Sequence, residues 1–153
     1  VVTAATSSPL TDGAAAVIVC SEDYAKRNDL EILAFIRGMA ISGCSPEVMG
    51  IGPVLSSQKA LQRAGIKLED IDLVEMNEAF AAQSLACVKE LGVDMSKMNI
   101  HGGAISMGHP LGASGARITG KAASLLKETG KRYALSTMCV GGGQGCATVL
   151  ERA

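Results

Sequence analysis

Tryptophan is absent from this sequence of 153 residues, and aromatic residues make up only 3% of it. Charged residues are also scarce, at 19% against about 25% in an ordinary globular protein. Disordered chains combine few apolar residues with much charge, so a hydrophobic share of 48% excludes disorder. Lysine and arginine number 14 and aspartate and glutamate 15, for a formal net charge of −1. That balance excludes binding to nucleic acid or to an anionic membrane by bulk electrostatics.

Long hydrophobic runs and clustered metal ligands are lacking as well. No stretch approaches the ~20 apolar residues that a membrane-spanning helix requires, and no basic segment precedes an apolar one as in a signal peptide. The five cysteines are odd in number, scattered and without a C-x-x-C pair, which predicts free thiols in a reducing compartment. His101 and His109 have no suitably spaced partners, so we expect no metal site. We expect a cytoplasmic location, with an organelle matrix as the alternative.

What the sequence does contain is short apolar runs that alternate with helical patterns, and 18 glycines between them. The predicted strands are Ala14–Cys20, Glu31–Ile41, Ile71–Met76, Tyr133–Val140 and Cys146–Glu151. The predicted helices are a short one from Glu22 and three longer ones over 53–64, 79–91 and 114–129, the last two largely buried. Strands and helices in this order predict one layered α/β/α domain over residues 1–153, with a mixed five-stranded sheet covered by helices on both faces.

Asn77, at the end of a predicted buried strand, opens the segment Asn77–Phe80. Ligands of α/β proteins collect at the carboxyl ends of strands and at the N-termini of helices. A plain structural role is equally compatible with this position, because asparagine is a preferred N-cap residue. An N-cap can also hold a water or a ligand oxygen, so the two interpretations do not exclude each other.

Two glycine-rich segments carry one further chemically capable side chain each. His109 lies between Gly108 and Pro110, on a stiff and bare loop, although a single histidine more often has a structural role. Cys139 precedes Gly141, Gly142 and Gly143, whose N–H groups favour an anion, although free cysteines are often merely buried. Neither segment is followed by the residues of a phosphate-binding or dinucleotide-binding loop, so a nucleotide site is poorly supported.

Together these three side chains form the set that acyl-transfer chemistry needs. Such chemistry requires a base, a group that moves a proton, and N–H donors for an oxyanion. Asn77, His109 and Cys139 each end on a loop beside a predicted buried element, with enough glycine for a substrate to approach the backbone.

The motifs that contain these residues resemble the C-terminal half of a thiolase. N-E-A-F stands at 77–80, G-G-A-I-S-M-G-H-P-L-G-A-S-G-A-R at 102–117 and C-V-G-G-G-Q-G at 139–145, in the family's order and spacing. T-A-A-T-S-S-P-L-T-D-G-A-A-A at 3–16 and M-G-I-G-P-V at 49–54 match as well. The resemblance extends over the whole chain and implies an acyltransferase of the thiolase fold, active in fatty acid metabolism.

The resemblance also implies a role for each matching residue. His109 would activate the nucleophilic cysteine and polarise the thioester oxygen, and Asn77 would hold a water in the same oxyanion hole. Cys139 would act as the acid and base at the acyl α-carbon, and the N–H of Gly141 would contribute to a second oxyanion hole. The positions that match residues along the pantetheine arm of coenzyme A are Ala4, Ser8, Ala79 and Phe80.

One part of the family's machinery is missing from the chain. In thiolases the cysteine that carries the acyl group lies in the N-terminal half, and none of the remaining cysteines here suits that role. We therefore expect the chain to be inactive alone and to work with an N-terminal thiolase half, as part of a longer enzyme or, alternatively, of a split one. The expected ligands are acyl-CoA and CoA as substrates, with no cofactor, and we expect a dimer or tetramer of the full enzyme.

Two other protein classes remain as alternatives. A β-ketoacyl synthase-type condensing domain has the same architecture, but it generally uses two histidines, or histidine and asparagine, where this chain has His109 and Cys139. A non-catalytic thiolase-like protein would be expected to have lost one of these two residues, and both are present.

Overall fold

The computed structural model describes residues 1–153 and centres on one mixed sheet of four strands. The strands are β1 (Ala34–Gly43), β2 (Leu73–Met76), β3 (Tyr133–Val140) and β4 (Gln144–Arg152). Their order across the sheet is β1-β4-β3-β2. The strand β4 pairs antiparallel with both β1 and β3, whereas β2 and β3 are parallel, so their carboxyl ends lie at the same edge.

Four of the five helices begin and end largely where the sequence predicts, whereas the single helical turn at 104–107 lies in the glycine-rich segment, where none was predicted. The five helices are α1 (Glu22–Arg27), α2 (Gly52–Ala64), α3 (Ala81–Leu91), α4 (Ala104–Met107) and α5 (Ser114–Thr129). The side chain of Ser21 accepts the N–H of Tyr24 and so caps α1. Glycines in the left-handed conformation follow α2, α3 and α5, because a residue without Cβ adopts positive φ at little cost. None of these helices combines the length and the apolar character that crossing a membrane would require.

Helices pack on both faces of the sheet, as predicted, although one face of β1 stays exposed at Met39 and Ile41. On one face lies the larger hydrophobic core, in which Ala60 of α2 and Cys87 and Val88 of α3 join Leu135 and Val149 of the sheet. On the other face, Ala122, Leu125 and Leu126 of α5 pack against residues of β2, β3 and β4. The layered α/β prediction is therefore confirmed, with four strands instead of five.

The strand that is missing is the first one predicted, Ala14–Cys20. This segment is irregular and exposed, with Ile18 at 82% and Val19 at 71% exposure, and Cys20 is exposed as well. It borders an open cavity of about 900 Å³ on the side of α5. An apolar run becomes a strand only when a neighbouring strand supplies hydrogen-bond partners. None of the four strands pairs with it, so the prediction of a buried strand here was wrong.

Two further predictions about burial need correction. The helix α3 buries only Ser84, Cys87 and Val88, and Leu85 is 57% exposed, so it is not buried all round. The helix α5 likewise buries a single stripe of residues, because it packs on the sheet along one side only. A one-sided contact explains why an apolar composition predicted more burial than the fold provides.

The N-terminus of α2 packs directly against the beginning of β4, backbone against backbone. A Cβ atom on Gly52 would overlap the carbonyl group of Gln144, and one on Gly145 would overlap the carbonyl group of Gly52. Glycine at these two positions therefore allows α2 to approach the hairpin formed by β3 and β4.

We expect Gly52→Ala to lower the free energy of unfolding by about 1–3 kcal/mol, because the extra methyl group overpacks a backbone contact. Urea unfolding followed by circular dichroism measures this change. Gly112→Ala is the matched control, since a Cβ atom there meets no atom within 4 Å. Equal stability of the two variants would contradict the close packing of α2 and β4.

Candidate active site

The candidate site lies at the edge where the parallel strands β2 and β3 end. The N–H of Asn77, the residue after β2, donates to the carbonyl oxygen of Thr137 at 3.0 Å. This bond continues the pairing of β2 with β3 and places Asn77 beside the end of the strand that carries Cys139. The two residues are far apart in the sequence, and the parallel pairing is what brings them to one edge.

The side chain of Asn77 is fully buried, and neither its Oδ1 nor its Nδ2 has a hydrogen-bond partner within the chain. It does not cap α3, because Phe80 occupies the N-cap position of that helix. Buried amides are nearly always paired, with the protein, with ordered water or with a ligand. An unpaired buried amide at a strand end therefore indicates that Asn77 binds a water or a polar group of a ligand. Its predicted alternative role, as the N-cap of α3, is excluded.

A buried network holds the segment after β2 in place. The side chain of Asn99 accepts the N–H of Met76 at 3.0 Å and donates to Met76 O at 2.9 Å and to the Glu78 carboxylate at 2.7 Å. The second oxygen of Glu78 accepts the N–H of Ile105 at 3.1 Å. Any side chain on Gly103 would overlap that carboxylate. Glu78 thus ties the Asn77 segment to the glycine-rich loop.

His109 lies on the loop that leads into α5. Its N–H donates to Thr11 Oγ1 at 3.3 Å, and its ring Nδ1 lies 2.5 Å from the hydroxyl oxygen of Ser114. Burial, assisted by the positive charge of Arg117, lowers the pKa of His109 below its ordinary value. The imidazole is therefore neutral at physiological pH.

The helix α5 carries this loop to the same edge of the sheet. The hydroxyl groups of Thr119 and Ser136 lie 3.2 Å apart, and Gly115, at the start of α5, faces Met138 near the end of β3. The N-terminus of α5 consequently lies next to the carboxyl end of β3, which positions His109 on that side. No hydrogen bond within the chain joins the side chains of Asn77, His109 and Cys139 to one another.

Cys139 is the next-to-last residue of β3 and is only 5% exposed. Burial raises the pKa of its thiol, so it stays protonated at neutral pH. The turn after β3 is held by the backbone N–H of Cys44, which donates to Gly143 O at 2.7 Å. The N–H of Gly141 in this exposed turn donates no hydrogen bond within the chain. It remains available to an external acceptor.

The N-terminal segment, residues 4–8, packs against the residues that follow β2. The N–H and the hydroxyl group of Ser8 donate to Ala79 O at 3.1 and 3.3 Å, and Ser7 pairs with Phe80. Ala4 belongs to the exposed 3₁₀ turn Ala4–Thr6 that precedes them. The structure therefore brings Ser8 into contact with Ala79, next to the pairing of Ser7 with Phe80, whereas Ala4 lies a few residues before that contact.

Several residues that shape this edge escaped the sequence analysis. They are Glu75, Glu78, Asn99, Ser114 and Lys121. Glu75 on β2 is buried, with an exposure of 2%. The Nζ of Lys121 on α5 forms an ion pair with Glu75 Oε1 at 3.1 Å, although its geometry is not that of a hydrogen bond. The same Nζ donates a hydrogen bond to Gly102 O at 2.7 Å. Two of them had a sequence signal that could have revealed them: Glu78 stands in the N-E-A-F motif, and Ser114 follows His109 by five residues at a helix start. The structure has no group of three or more potential ligand residues that could hold a metal ion.

Comparison with known proteins assigns the family. Residues 30–152 match the model of the thiolase C-terminal domain. The chain belongs to the thiolase family. This thiolase domain is 56% identical over 154 residues to a protein named 3-ketoacyl-CoA thiolase from Vibrio parahaemolyticus, and 57% identical over 155 residues to one of the same name from Shewanella loihica.

These alignments cover 99% of the thiolase domain but only 39% and 40% of the two relatives. Among solved structures, Bacillus anthracis acetyl-CoA acetyltransferase superimposes with a TM-score of 0.96 at 45% identity, over 99% of this chain and 39% of that one. The structure of human mitochondrial 3-ketoacyl-CoA thiolase in complex with CoA superimposes with a TM-score of 0.85 at 50% sequence identity. That alignment covers 87% of this chain and 34% of the human one. The thiolase fold predicted from the sequence motifs is confirmed.

Proposed function

We propose that this chain is the C-terminal catalytic part of a thiolase, an enzyme that transfers acyl groups between acyl-CoA and CoA. It would cleave 3-ketoacyl-CoA with CoA or condense two molecules of acetyl-CoA. The observation that carries the proposal is that β2 is followed by a fully buried unpaired amide and the parallel strand β3 ends in a buried thiol, while α5, which packs on β3, is preceded by a loop with a neutral imidazole. Relatives named 3-ketoacyl-CoA thiolase support this substrate class.

His109 and Asn77 would stabilise the negative charge that develops on a thioester oxygen. Breaking or forming a C–C bond beside a thioester passes through an enolate, so preorganised N–H and O–H donors lower the barrier. The neutral ring of His109 can offer such a donor, and the free amide of Asn77 can hold a water as a second one. His109 would also activate the nucleophilic cysteine, by stabilising its thiolate through the same ring N–H group.

Cys139 would move the proton. In thiolytic cleavage the thiolate of the external cysteine attacks the 3-keto carbon and the C–C bond breaks. The electron pair of that bond goes to the departing acetyl-CoA enolate, and the Cys139 thiol protonates its carbon. The Cys139 thiolate would then take the proton of the CoA thiol that attacks the acyl-enzyme. A thiol with a raised pKa is protonated and ready for this step. The free N–H of Gly141 would stabilise the oxyanion formed when CoA attacks the acyl-enzyme. The contact of Ser8 with Ala79, together with Phe80 beside it, would border the pantetheine arm.

The cysteine that carries the acyl group would come from outside this chain. Cys87 donates to Gly50 O within the core, Cys20 lies exposed in an irregular segment, and Cys44 supports the turn after β3. None of them, nor Cys146 within β4, lies beside His109. An N-terminal half would therefore supply the nucleophile, with the whole of residues 1–153 as its C-terminal counterpart. We also predict that the full enzyme is a dimer or a tetramer and that it is located in the cytoplasm or in an organelle matrix.

A chimera tests this function. In it, the present chain replaces the matching 39% of the V. parahaemolyticus relative. We expect the chimera to cleave acetoacetyl-CoA with CoA, and the chain alone to show neither cleavage nor covalent label from radioactive acetyl-CoA, because an acyl-enzyme needs the missing nucleophile. Stoichiometric labelling of the chain alone would contradict the proposal that the nucleophilic cysteine lies outside it. A folded chimera without thiolysis would contradict the function.

The condensing-enzyme alternative differs in its residues. A β-ketoacyl synthase-type domain generally uses two histidines, or histidine and asparagine, so the presence of His109 together with Cys139 favours thiolysis by CoA. A non-catalytic thiolase-like role would leave the chimera able to bind CoA but unable to turn it over. The thiolysis assay therefore separates the thiolase function from both alternatives.

A further inference from the structure

The hydroxyl group of Ser114 lies between two possible hydrogen-bond acceptors. Its oxygen is 2.5 Å from Nδ1 of His109 and 3.1 Å from the carbonyl oxygen of Pro110. Ser114 is the first residue of α5 and is fully buried, so bulk water does not compete for it. A serine hydroxyl has one hydrogen, which it can give to only one of these atoms at a time. The choice determines which ring nitrogen of His109 carries a hydrogen.

The carbonyl of Pro110 is already occupied. It accepts the backbone N–H groups of Ala113 and Ser114, both at 2.9 Å, and a carbonyl oxygen has two lone pairs. Nδ1 of His109 is the nearer atom and makes no other hydrogen bond. A neutral imidazole has one nitrogen without hydrogen, and that nitrogen accepts. The shorter distance and the filled carbonyl both direct the hydroxyl hydrogen to Nδ1.

We propose that Ser114 is a positioning residue that donates to Nδ1 of His109 and holds the ring in the tautomer with its hydrogen on Nε2. This inference rests on the proposed function, because the Nε2–H group is then the donor that His109 offers to the thioester oxygen. The opposite tautomer would turn a lone pair toward the developing negative charge and would oppose the reaction. The buried hydroxyl thus selects the form of the imidazole that stabilises the enolate.

Nitrogen NMR of the chimera tests the tautomer directly. The protein is labelled with ¹⁵N-histidine, and the His109 signals are identified by their loss in His109→Gln. At neutral pH we expect the hydrogen on Nε2 and a bare, hydrogen-bonded Nδ1. A hydrogen on Nδ1 in the unsubstituted protein would overturn the proposal, whether or not the chimera is active.

The variant Ser114→Ala tests the consequence for catalysis. We expect kcat for thiolysis to fall by about 10- to 100-fold, as for the loss of other groups that orient a catalytic imidazole, with the KM for CoA little changed. The ¹⁵N spectrum of this variant should show a mixture of tautomers. Ser124→Ala, at an exposed position on the same helix, is the matched control and should leave both readouts unchanged.

A Ser114→Ala variant with unchanged kcat and an unchanged tautomer would refute the positioning role. Loss of thiolysis in the unsubstituted chimera would instead count against the proposed function, and the NMR result on that same protein would still decide the tautomer. The two failures are therefore distinguishable.

Discussion

Replacing Cys139 by alanine should lower kcat for thiolysis in the chimera by about 10²- to 10⁴-fold, which is the contribution that general acid–base catalysis typically makes. The thiol is the group proposed to protonate the departing enolate, and alanine offers no proton in its place. Because the side chain is small and lies at the end of β3, the fold should remain intact. Steady-state kinetics with acetoacetyl-CoA and CoA measure the loss.

Cys146→Ala is the control for that experiment. Cys146 lies on β4 opposite Met138 of β3, so the same chemical change is made in the same hairpin, at a half-buried position. We expect this control to keep nearly normal kcat. Comparable rates for Cys139→Ala and the control would remove Cys139 from the proposed mechanism while leaving the family assignment untouched.

Replacing Lys121 by methionine should lower the free energy of unfolding of the chain by about 3–5 kcal/mol, the usual cost of removing one partner of a buried ion pair. Lys121 is the cation beside the buried carboxylate of Glu75 and also donates to the carbonyl of Gly102. The substitution leaves the Glu75 carboxylate buried without the cation that offsets its desolvation. It also removes the hydrogen bond that ties the glycine-rich loop to α5. Urea unfolding at neutral pH measures the effect.

The pH dependence of this variant identifies the cause. Burial raises the pKa of Glu75, and the positive charge of Lys121 opposes that shift, so its removal raises the pKa further. The folded state then binds a proton more tightly than the unfolded state, and stability falls as the pH rises through the interval between the two pKa values. The deficit of Lys121→Met should therefore shrink as the pH falls from 7 toward the ordinary glutamate value of about 4.3.

Lys127→Met provides the matched control on the same helix. Lys127 pairs with Glu31 at the surface, where an ion pair contributes only about 0–1 kcal/mol. If Lys121→Met were no more destabilising than this control, or if its deficit were independent of pH, Glu75 would not carry a buried charge that depends on Lys121.

Local patterns in the sequence sufficed for most element boundaries and for the residues of the candidate site. The glycines after α2 and α5 and the serine before α1 stand where helices end or begin, because caps depend on neighbouring residues only. Asn77, His109 and Cys139 were found in the same way, at ends of elements. Their motifs also identified the family, which the family model confirms for residues 30–152.

Short-range order was thus enough to predict all four strands, four of the five helices and the family motifs. Only the tertiary structure decided that Ala14–Cys20 has no pairing strand, that α3 exposes one side, and that Ser114 and Lys121 reach His109 and Glu75. Strand pairing and buried polar contacts join residues that are distant along the chain. Their partners are set by the order β1-β4-β3-β2 and by the packing of α5, which no local pattern encodes.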